Sequence, residues 1–258
     1  MTGPHIFTPD YYTRMHDLEA ASWWNSGMRA VAARLLAPVL PAKGTLVDVG
    51  CGSGQTMAWF RAAWPGWRTL GVDVAPEGLA AARSAGESVL EGSALELPIA
   101  DACADAVITL DVLQHLPLGG GDVQALAEIR RVLRPGGHLF IRTNAQAWPR
   151  IDDDARHDFH KYGAAELRAK LAAAGFVVHR VGRLNAVLGL AEIPRELRAR
   201  RAVGPGYVGL LADVPSRGIA WRAKRAWLQL EGALLGAGFS WPLGRTLIAL
   251  AQSPEGKP

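Results

Sequence analysis

Three glycines in five positions, Gly50, Gly52 and Gly54, stand in the stretch LVDVGCGSGQ (46–55) of a chain otherwise rich in alanine. Glycine there has a physical use. Without Cβ atoms the backbone turns sharply and can touch a ligand directly. A helix opening beyond such a loop offers unpaired N–H groups to a bound polar group. Asp48 precedes the loop by two residues, and a second acid, Asp73, lies in GVDVA (71–75). Proton-transfer chemistry has its own candidates: His115 in DVLQHL (111–116), and His157 and His160 in RHDFHKYGAAEL (156–167). A histidine near its ordinary pKa takes a proton at neutral pH.

The spacing narrows the choice of nucleotide. A dinucleotide fold wants G-x-G-x-x-G. Here the third glycine comes one residue early, and position 55 is Gln55. An acid at position 48 is unfavourable for a pyrophosphate and suits a cationic ammonium, directly or through water. A carboxylate at the tip of the second strand accepts hydrogen bonds from both ribose hydroxyls. After the third strand, EGSALELP (91–98) brings Ser93 and Ala94, one short polar and one small residue, to an adenine edge. The ligand described has an amino acid at one end and adenosine at the other. S-adenosylmethionine meets that description.

These residues need elements to position them. From residue 45 onward, strand and helix patterns alternate, which predicts a parallel sheet covered on both faces. Strands are expected at 45–50, 68–74, 88–92, 105–111, 138–144, 176–184 and 245–253. Helices are expected at 28–40, 53–64, 76–83, within 119–137, and at 163–176. Pro76 opens the third of these helices at a favourable first position. Asp122 is expected to cap the fourth, and Pro135-Gly136-Gly137 to close it. About 60 residues of mostly helical pattern separate the last two strands, far more than a hairpin needs. The expected fold class is therefore α/β, a Rossmann-like, seven-stranded and mostly parallel sheet flanked by helices. Its parts are an N-terminal helical segment (1–43), a cofactor-binding core (44–184), a helical insertion (185–244) and a last strand (245–253). The insertion reads as a cap or a dimerisation element.

The whole chain bounds the partners. Its 258 residues are 49% apolar and 20% charged, which suits one large domain with a substantial core. The net charge of +4 is mild. A nucleic-acid partner is one reading of it, and a domain with a few extra arginines is the plainer one. The one dense basic stretch, PRELRARR (194–201), reads as a solvated helix face or as a docking patch. The two cysteines, Cys51 and Cys103, show no metal spacing and fit a reducing compartment. No secretory leader and no apolar run of membrane-spanning length is present, so a cytoplasmic location is expected. The acids 152–154 suit a helix start better than a cation site.

Several segments in the same order resemble one family, the class I S-adenosylmethionine-dependent methyltransferases. LVDVGCGSG resembles its first motif, and LGVDVAPEGLAAAR (70–83) its second-strand motif. GSALELPIADACADAVITLDVLQHL (92–116) and EIRRVLRPGGHLFI (128–141) resemble the segments that lead into the fourth and fifth strands. The match is close over 44–144 and loose over 160–184. The resemblance implies S-adenosylmethionine as cofactor, leaving as S-adenosylhomocysteine. It implies that Asp48, Gly50, Gly52 and Gly54 meet the methionine part, with Cys51 contributing its backbone only. It implies Asp73 at the ribose, Ser93 and Ala94 at the adenine, Asp111 and Val112 near the methyl group, and Val74 and Leu95 also within the cofactor site. MHDLEAASWWNSGMRAVAARLL (15–36) resembles the leading helices of a subgroup, with Met28 where arginine is usual. Trp23 and Trp24 either close over the cofactor or pack that helix on the sheet.

The acceptor is less defined. Methylation of base or glutamine amino groups in this family usually goes with a [DNS]-P-P-[YFW] motif after the fourth strand. Here that place reads DVLQHL, which resembles small-molecule enzymes and argues against DNA. The leading expectation is a small-molecule acceptor methylated on oxygen, in a natural product, lipid or sugar. A hydroxyl acceptor needs a base and a carboxylate does not. His115, His157 and His160 are the candidate bases; the alternative for His115 is to order its loop, and for the other two a surface loop whose Tyr162 anchors the next helix. Tyr162 and Trp221 are candidate substrate contacts. The insertion's Trp221, Trp227, Phe239 and Trp241 suit a large apolar molecule or a dimer interface equally. No motif suggests a metal. Other readings remain: an N- or C-methyltransferase, an RNA methyltransferase, a non-catalytic cofactor-binding member, and an NAD(P)-dependent oxidoreductase.

Overall fold

The computed structural model describes residues 22–146, 160–189 and 218–255. Seven strands form one sheet: β1 (Gly44–Val49), β2 (Trp67–Asp73), β3 (Val89–Glu91), β4 (Ala104–Leu110), β5 (Leu133–Asn144), β6 (Val177–Leu184) and β7 (Thr246–Gln252). Their order is β3-β2-β1-β4-β5-β7-β6, with β7 antiparallel to both its neighbours and the rest parallel. The order reverses between β1 and β4. In open α/β sheets a ligand crevice lies at such a reversal, outside the carboxyl ends of the strands.

Alternation along the strands builds the two sides of the core. Leu46, Ile108, Phe140 and Ile248 face one way, onto α1 (Trp23–Leu36), α2 (Gln55–Ala63) and α6 (Ile219–Gly236). Val47, Val107, Ile141 and Ala249 face the other way, onto α4 (Gly121–Val132) and α5 (Ala164–Ala173). Helix α3 (Pro76–Ser84) packs Leu79 beside Cys51 and Met57 on the α2 side. Both faces of the central strands are dry, which is why they read as continuous apolar runs.

Helices α1 and α6 lie side by side and run parallel. Lys224 sits over Trp23, Leu228 against Gly27, Gly232 against Val31, and Gly236 against Leu35. A Cβ on Gly27 would stand 2.8 Å from Leu228, and one on Gly232 would stand 2.6 Å from Val31. Glycine at both crossings lets the helices approach this closely. The carboxylate of Glu231, 1% exposed, ties α6 to the end of β6. It accepts from the backbone N–H of Asn185 (2.5 Å) and Ala186 (3.2 Å) and from Trp227 Nε1 (2.7 Å).

Some boundaries differ from expectation for local reasons. Helix α1 ends at Leu36, short of 40: Ala37 keeps helical angles and still donates to Ala33 O, but Pro38 has no N–H to continue the ladder. Helix α4 is capped by Gly120, not Asp122, which lies inside its first turn. It ends at Val132, and Pro135-Gly136-Gly137 falls within the irregular start of β5, where the register against β4 shifts. Pro76 opens α3 as expected. The acids at 152–154 and the basic stretch at 194–201 lie outside the described residues.

Candidate functional site

The glycine loop leaves β1 at the switch point and folds across β2. The N–H groups of Gly50 and Cys51 both donate to Val72 O, at 2.7 and 3.2 Å. Gly50, Gly52 and Gly54 all have positive φ, at 79°, 50° and 79°. A Cβ on Gly50 would run into the side chain of Val112, and one on Gly54 would come 2.7 Å from Glu87 Cγ. Glycine is thus required twice over, by backbone angle and by space.

The loop also sets the acid at the tip of β2. Gly52 N donates to Asp73 Oδ2 at 2.8 Å, and Ala75 N to Asp73 Oδ1 at 2.9 Å. Each oxygen accepts one backbone bond, which fixes the carboxylate and leaves each further acceptor capacity. Asp48 is buried directly beneath, at 2% exposure. Cys51 reports the resulting field. Burial pushes its thiol pKa well up, and the Asp48, Asp73 and Glu87 carboxylates push it further. Its Sγ packs towards Gly71, so it stays a neutral core thiol and offers the loop only its backbone. Glu87 itself is neutralised by Arg61, with Nη2–Oε1 at 2.7 Å.

The next segment follows β3. Ser93 Oγ accepts from Leu95 N at 3.1 Å, which makes a local turn. Ala94 is buried, Leu95 packs partly on the core, and Val74 stands 66% exposed. Helix α4 holds this turn by its backbone. Gln124 Nε2 donates to Leu95 O (2.9 Å), and Glu128 Oε2 accepts from Leu97 N (2.8 Å). Arg131 donates to the carbonyls of Leu97 and Ile99 and pairs with Glu128 and Asp101.

At the end of β4, Asp111 has φ 59°, a left-handed conformation uncommon outside glycine. Arg142 on β5 donates to Asp111 Oδ2 from Nε at 2.9 Å and Nη2 at 2.5 Å. The 3₁₀ turn Leu113–His115 follows. Gln114 is oriented there by Thr143 Oγ1 (3.1 Å) and Asn144 N (2.9 Å), both donating to its Oε1. That orientation presents its Nε2 to His115 Nε2 at 3.4 Å. Partial burial lowers the pKa of His115 against an opposing pull from Asp111. The imidazole is therefore neutral, and able to accept a proton, at pH 7.

The remaining candidates separate. Tyr162 is in the core, 1% exposed, with its hydroxyl donating to Leu113 O and Asp122 Oδ2 at 3.1 Å each. It anchors the turn that carries His115 and has no surface for an acceptor, which corrects its reading as a substrate contact. His160 pairs with Glu166 Oε1 at 2.7 Å and packs edge-on against Tyr162. His157 lies outside the described residues. Trp23 and Trp24 meet edge to face and pack into the α1–α6 cluster, and the half-buried Trp221 joins them there. Among the described residues no group of His, Cys, Asp and Glu is arranged to hold a metal, and no helix is long and apolar enough to cross a membrane.

The site therefore gathers Asp48, the three glycines, Asp73, Val112, Asp111 and His115 around the ends of β1, β2 and β4. Sequence reasoning missed Arg142, Glu231 and the α4 staple. Arg142 had one available signal, a charged residue inside the apolar run HLFIRTN (138–144), and the structure sets it in register with Leu110, the residue before Asp111.

Residues 47–141 match a family model described as a methyltransferase domain. A probable S-adenosylmethionine-dependent methyltransferase of Mycolicibacterium smegmatis is 32% identical over 183 residues, which cover 66% of this chain and 69% of that protein. A malonyl-[acyl-carrier protein] O-methyltransferase of Pectobacterium atrosepticum is 36% identical over 143 residues, 50% of this chain and 53% of that protein. The chain thus spans only about half the length of this last relative. Phosphoethanolamine N-methyltransferase 2 of Haemonchus contortus, solved with S-adenosyl-L-methionine, shares the fold. Its TM-score is 0.65 at 15% identity, over 96% of this chain and 58% of that one.

Proposed function

This chain belongs to the class I S-adenosylmethionine-dependent methyltransferases, and from that premise we propose that it moves a methyl group from S-adenosylmethionine to an oxygen of a small-molecule acceptor. One observation carries the donor half. Asp73, each oxygen held by one backbone N–H (Gly52 at 2.8 Å, Ala75 at 2.9 Å), and the buried Asp48 set two carboxylates beside the glycine loop, which gives it a negative field. That field favours a cationic ligand and opposes the pyrophosphate of a dinucleotide, so an NAD(P)-dependent reaction fits poorly.

The residues present fit the donor. Backbone N–H and carbonyl groups of Gly50, Cys51, Gly52 and Gly54 would meet the methionine part, and Asp48 would offset its ammonium. Asp73 would accept from the ribose hydroxyls. Val74 and the turn at Ser93, Ala94 and Leu95 would border the adenine. Bound there, S-adenosylmethionine supplies an electrophilic methyl group whose leaving group is built in. The protein's tasks are to align the acceptor and exclude water. Val112, packed on Gly50, and the Asp111–Arg142 pair stand at the exit of β4, where the acceptor atom would be aligned. Neutral His115 would take the proton of a hydroxyl acceptor, while a carboxylate would need no base. Oxygen is favoured by the O-methyltransferase named among the relatives and by a histidine at that exit.

The test uses methyl-labelled S-adenosylmethionine, the purified protein and a small-molecule cell extract, read by mass spectrometry. The expected result is an enzyme-dependent metabolite heavier by one methyl group, its label lost in alkali if it is an ester. Label found only in the RNA or protein fraction would overturn the small-molecule reading.

A further inference from the structure

The +4 charge of this chain is not spread over it. Residues 185–244 hold eight Lys and Arg against four Asp and Glu, an excess equal to that of the whole chain, and the rest balances to zero. Three of these cations, Arg222, Lys224 and Arg225, fall in the first two turns of α6, which has no acid before Glu231.

The packing of α6 fixes where those turns lie. Gly236 and Leu235 sit beside Arg180 and Gly182 of β6, and Glu231 binds the N–H groups just past the end of that strand. Moving from Gly236 back to Glu231 therefore follows β6 to its carboxyl end. Lys224, seven residues further back, stands about 10 Å beyond that end. The parallel partner agrees. Arg29 of α1 donates to Gln55 O at the foot of the glycine loop (3.4 Å), and Trp23, under Lys224, is six residues or about 9 Å further out. Lys224 Nζ is 5.0 Å from the Trp23 ring centre, and the Arg225 guanidinium 5.8 Å from that of Trp221. Both cations are half-buried on indole faces, which holds them in place with less side-chain freedom to lose on binding.

We propose that the methyl acceptor is an anion, a carboxylate or phosphate monoester on an apolar body, held by Lys224 and Arg225 with Trp23 and Trp221 beside them. This rests on the methyl-transfer reading above. The carboxyl edge then has opposite polarity on its two sides, acid under the cationic donor and base facing the anionic acceptor. Cations seated on tryptophan rings suit a small ligand with an apolar body. A nucleic-acid or membrane face would fan them into solvent.

The test titrates decanoate, decyl phosphate and decanol, below their aggregation concentrations, into protein with and without S-adenosylhomocysteine, read by tryptophan fluorescence and calorimetry. Saturable binding of decanoate or decyl phosphate at least tenfold tighter than decanol is expected, weakening as salt rises. The decanoate and decyl phosphate arms distinguish the two anion classes. The double variant Lys224→Gln, Arg225→Gln should lose at least tenfold in anion affinity and keep its S-adenosylhomocysteine affinity within twofold. The single variant Lys224→Gln should lose part of the anion affinity if the double variant folds poorly. Equal binding of decanol, unchanged anion affinity in both variants, or response only to phosphatidylglycerol vesicles would overturn the proposal. Anion binding without any S-adenosylhomocysteine binding would strike the methyl-transfer reading instead and leave this surface standing.

Discussion

The donor and acceptor sides of the carboxyl edge are built by different means. On the donor side, backbone hydrogen bonds from the glycine turn and Ala75 fix Asp73, and Asp48 is buried within β1, all within one continuous stretch of about 30 residues. On the acceptor side, two helices more than 180 residues apart in sequence meet through glycine crossings and place cations over tryptophan rings. The donor side is local, acidic and backbone-determined. The acceptor side is non-local, basic and side-chain-determined. A fold arranged this way can keep one donor and change acceptors by altering α6 and its contacts alone.

The sharpest way to break this contrast is Gly50→Ala. The left-handed φ costs about 1–2 kcal/mol for an L-residue, and the clash with Val112 about 1–3 kcal/mol more. A fall in Tm of roughly 5–15 °C is expected by calorimetry, with donor binding lost. A near-native Tm would mean that the turn is not fixed by its backbone. Next is Asp73→Ala, which removes the acceptor for ribose hydroxyls and for two backbone N–H groups. S-adenosylhomocysteine affinity should drop roughly 100-fold, with decanoate binding unchanged. Equal loss of both ligands would show that the two sides are not separate. Glu231→Ala should act the other way round. It leaves three donors unpaired, at a cost of about 1–3 kcal/mol for each that water does not reach, and loosens α6, so anion binding should weaken several-fold while the donor holds.

The smallest and most conditional effect belongs to His115. With a hydroxyl acceptor, His115→Ala should slow turnover by about 10²-fold or more, and with a carboxylate by less than about twofold. Burial depresses its pKa, so the neutral base is present above a value that lies below 6.5. A rate dependent on it would rise with pH through that lower value and be flat at pH 7. A midpoint above 6.5 would contradict the assignment.

The same contrast explains what could be read from the chain alone. Strands β1 and β4 are buried on both faces over most of their length, so their apolar runs, with the glycines that follow β1, make the donor side legible in the sequence. Tyr162 was misread because a tyrosine after the fifth strand looks the same in sequence whether its hydroxyl faces solvent or, as here, Asp122. Glu231 gives no sign in the sequence of being buried, since two of its three partners are N–H groups 46 and 45 residues away that it meets only once α6 docks. Asp122 carries the signature of a cap, yet Gly120 takes that place and Lys170 pairs with the carboxylate instead. Each miss is a side chain whose partner is remote in sequence.

The central claim is that the acidic glycine loop binds S-adenosylmethionine and not a dinucleotide. Titration calorimetry of the wild-type protein with S-adenosylhomocysteine and, separately, with NADH tests it most directly. Saturable one-to-one binding of S-adenosylhomocysteine, with no heat from NADH at the same concentrations, is the predicted result. Binding of NADH without S-adenosylhomocysteine would contradict the account.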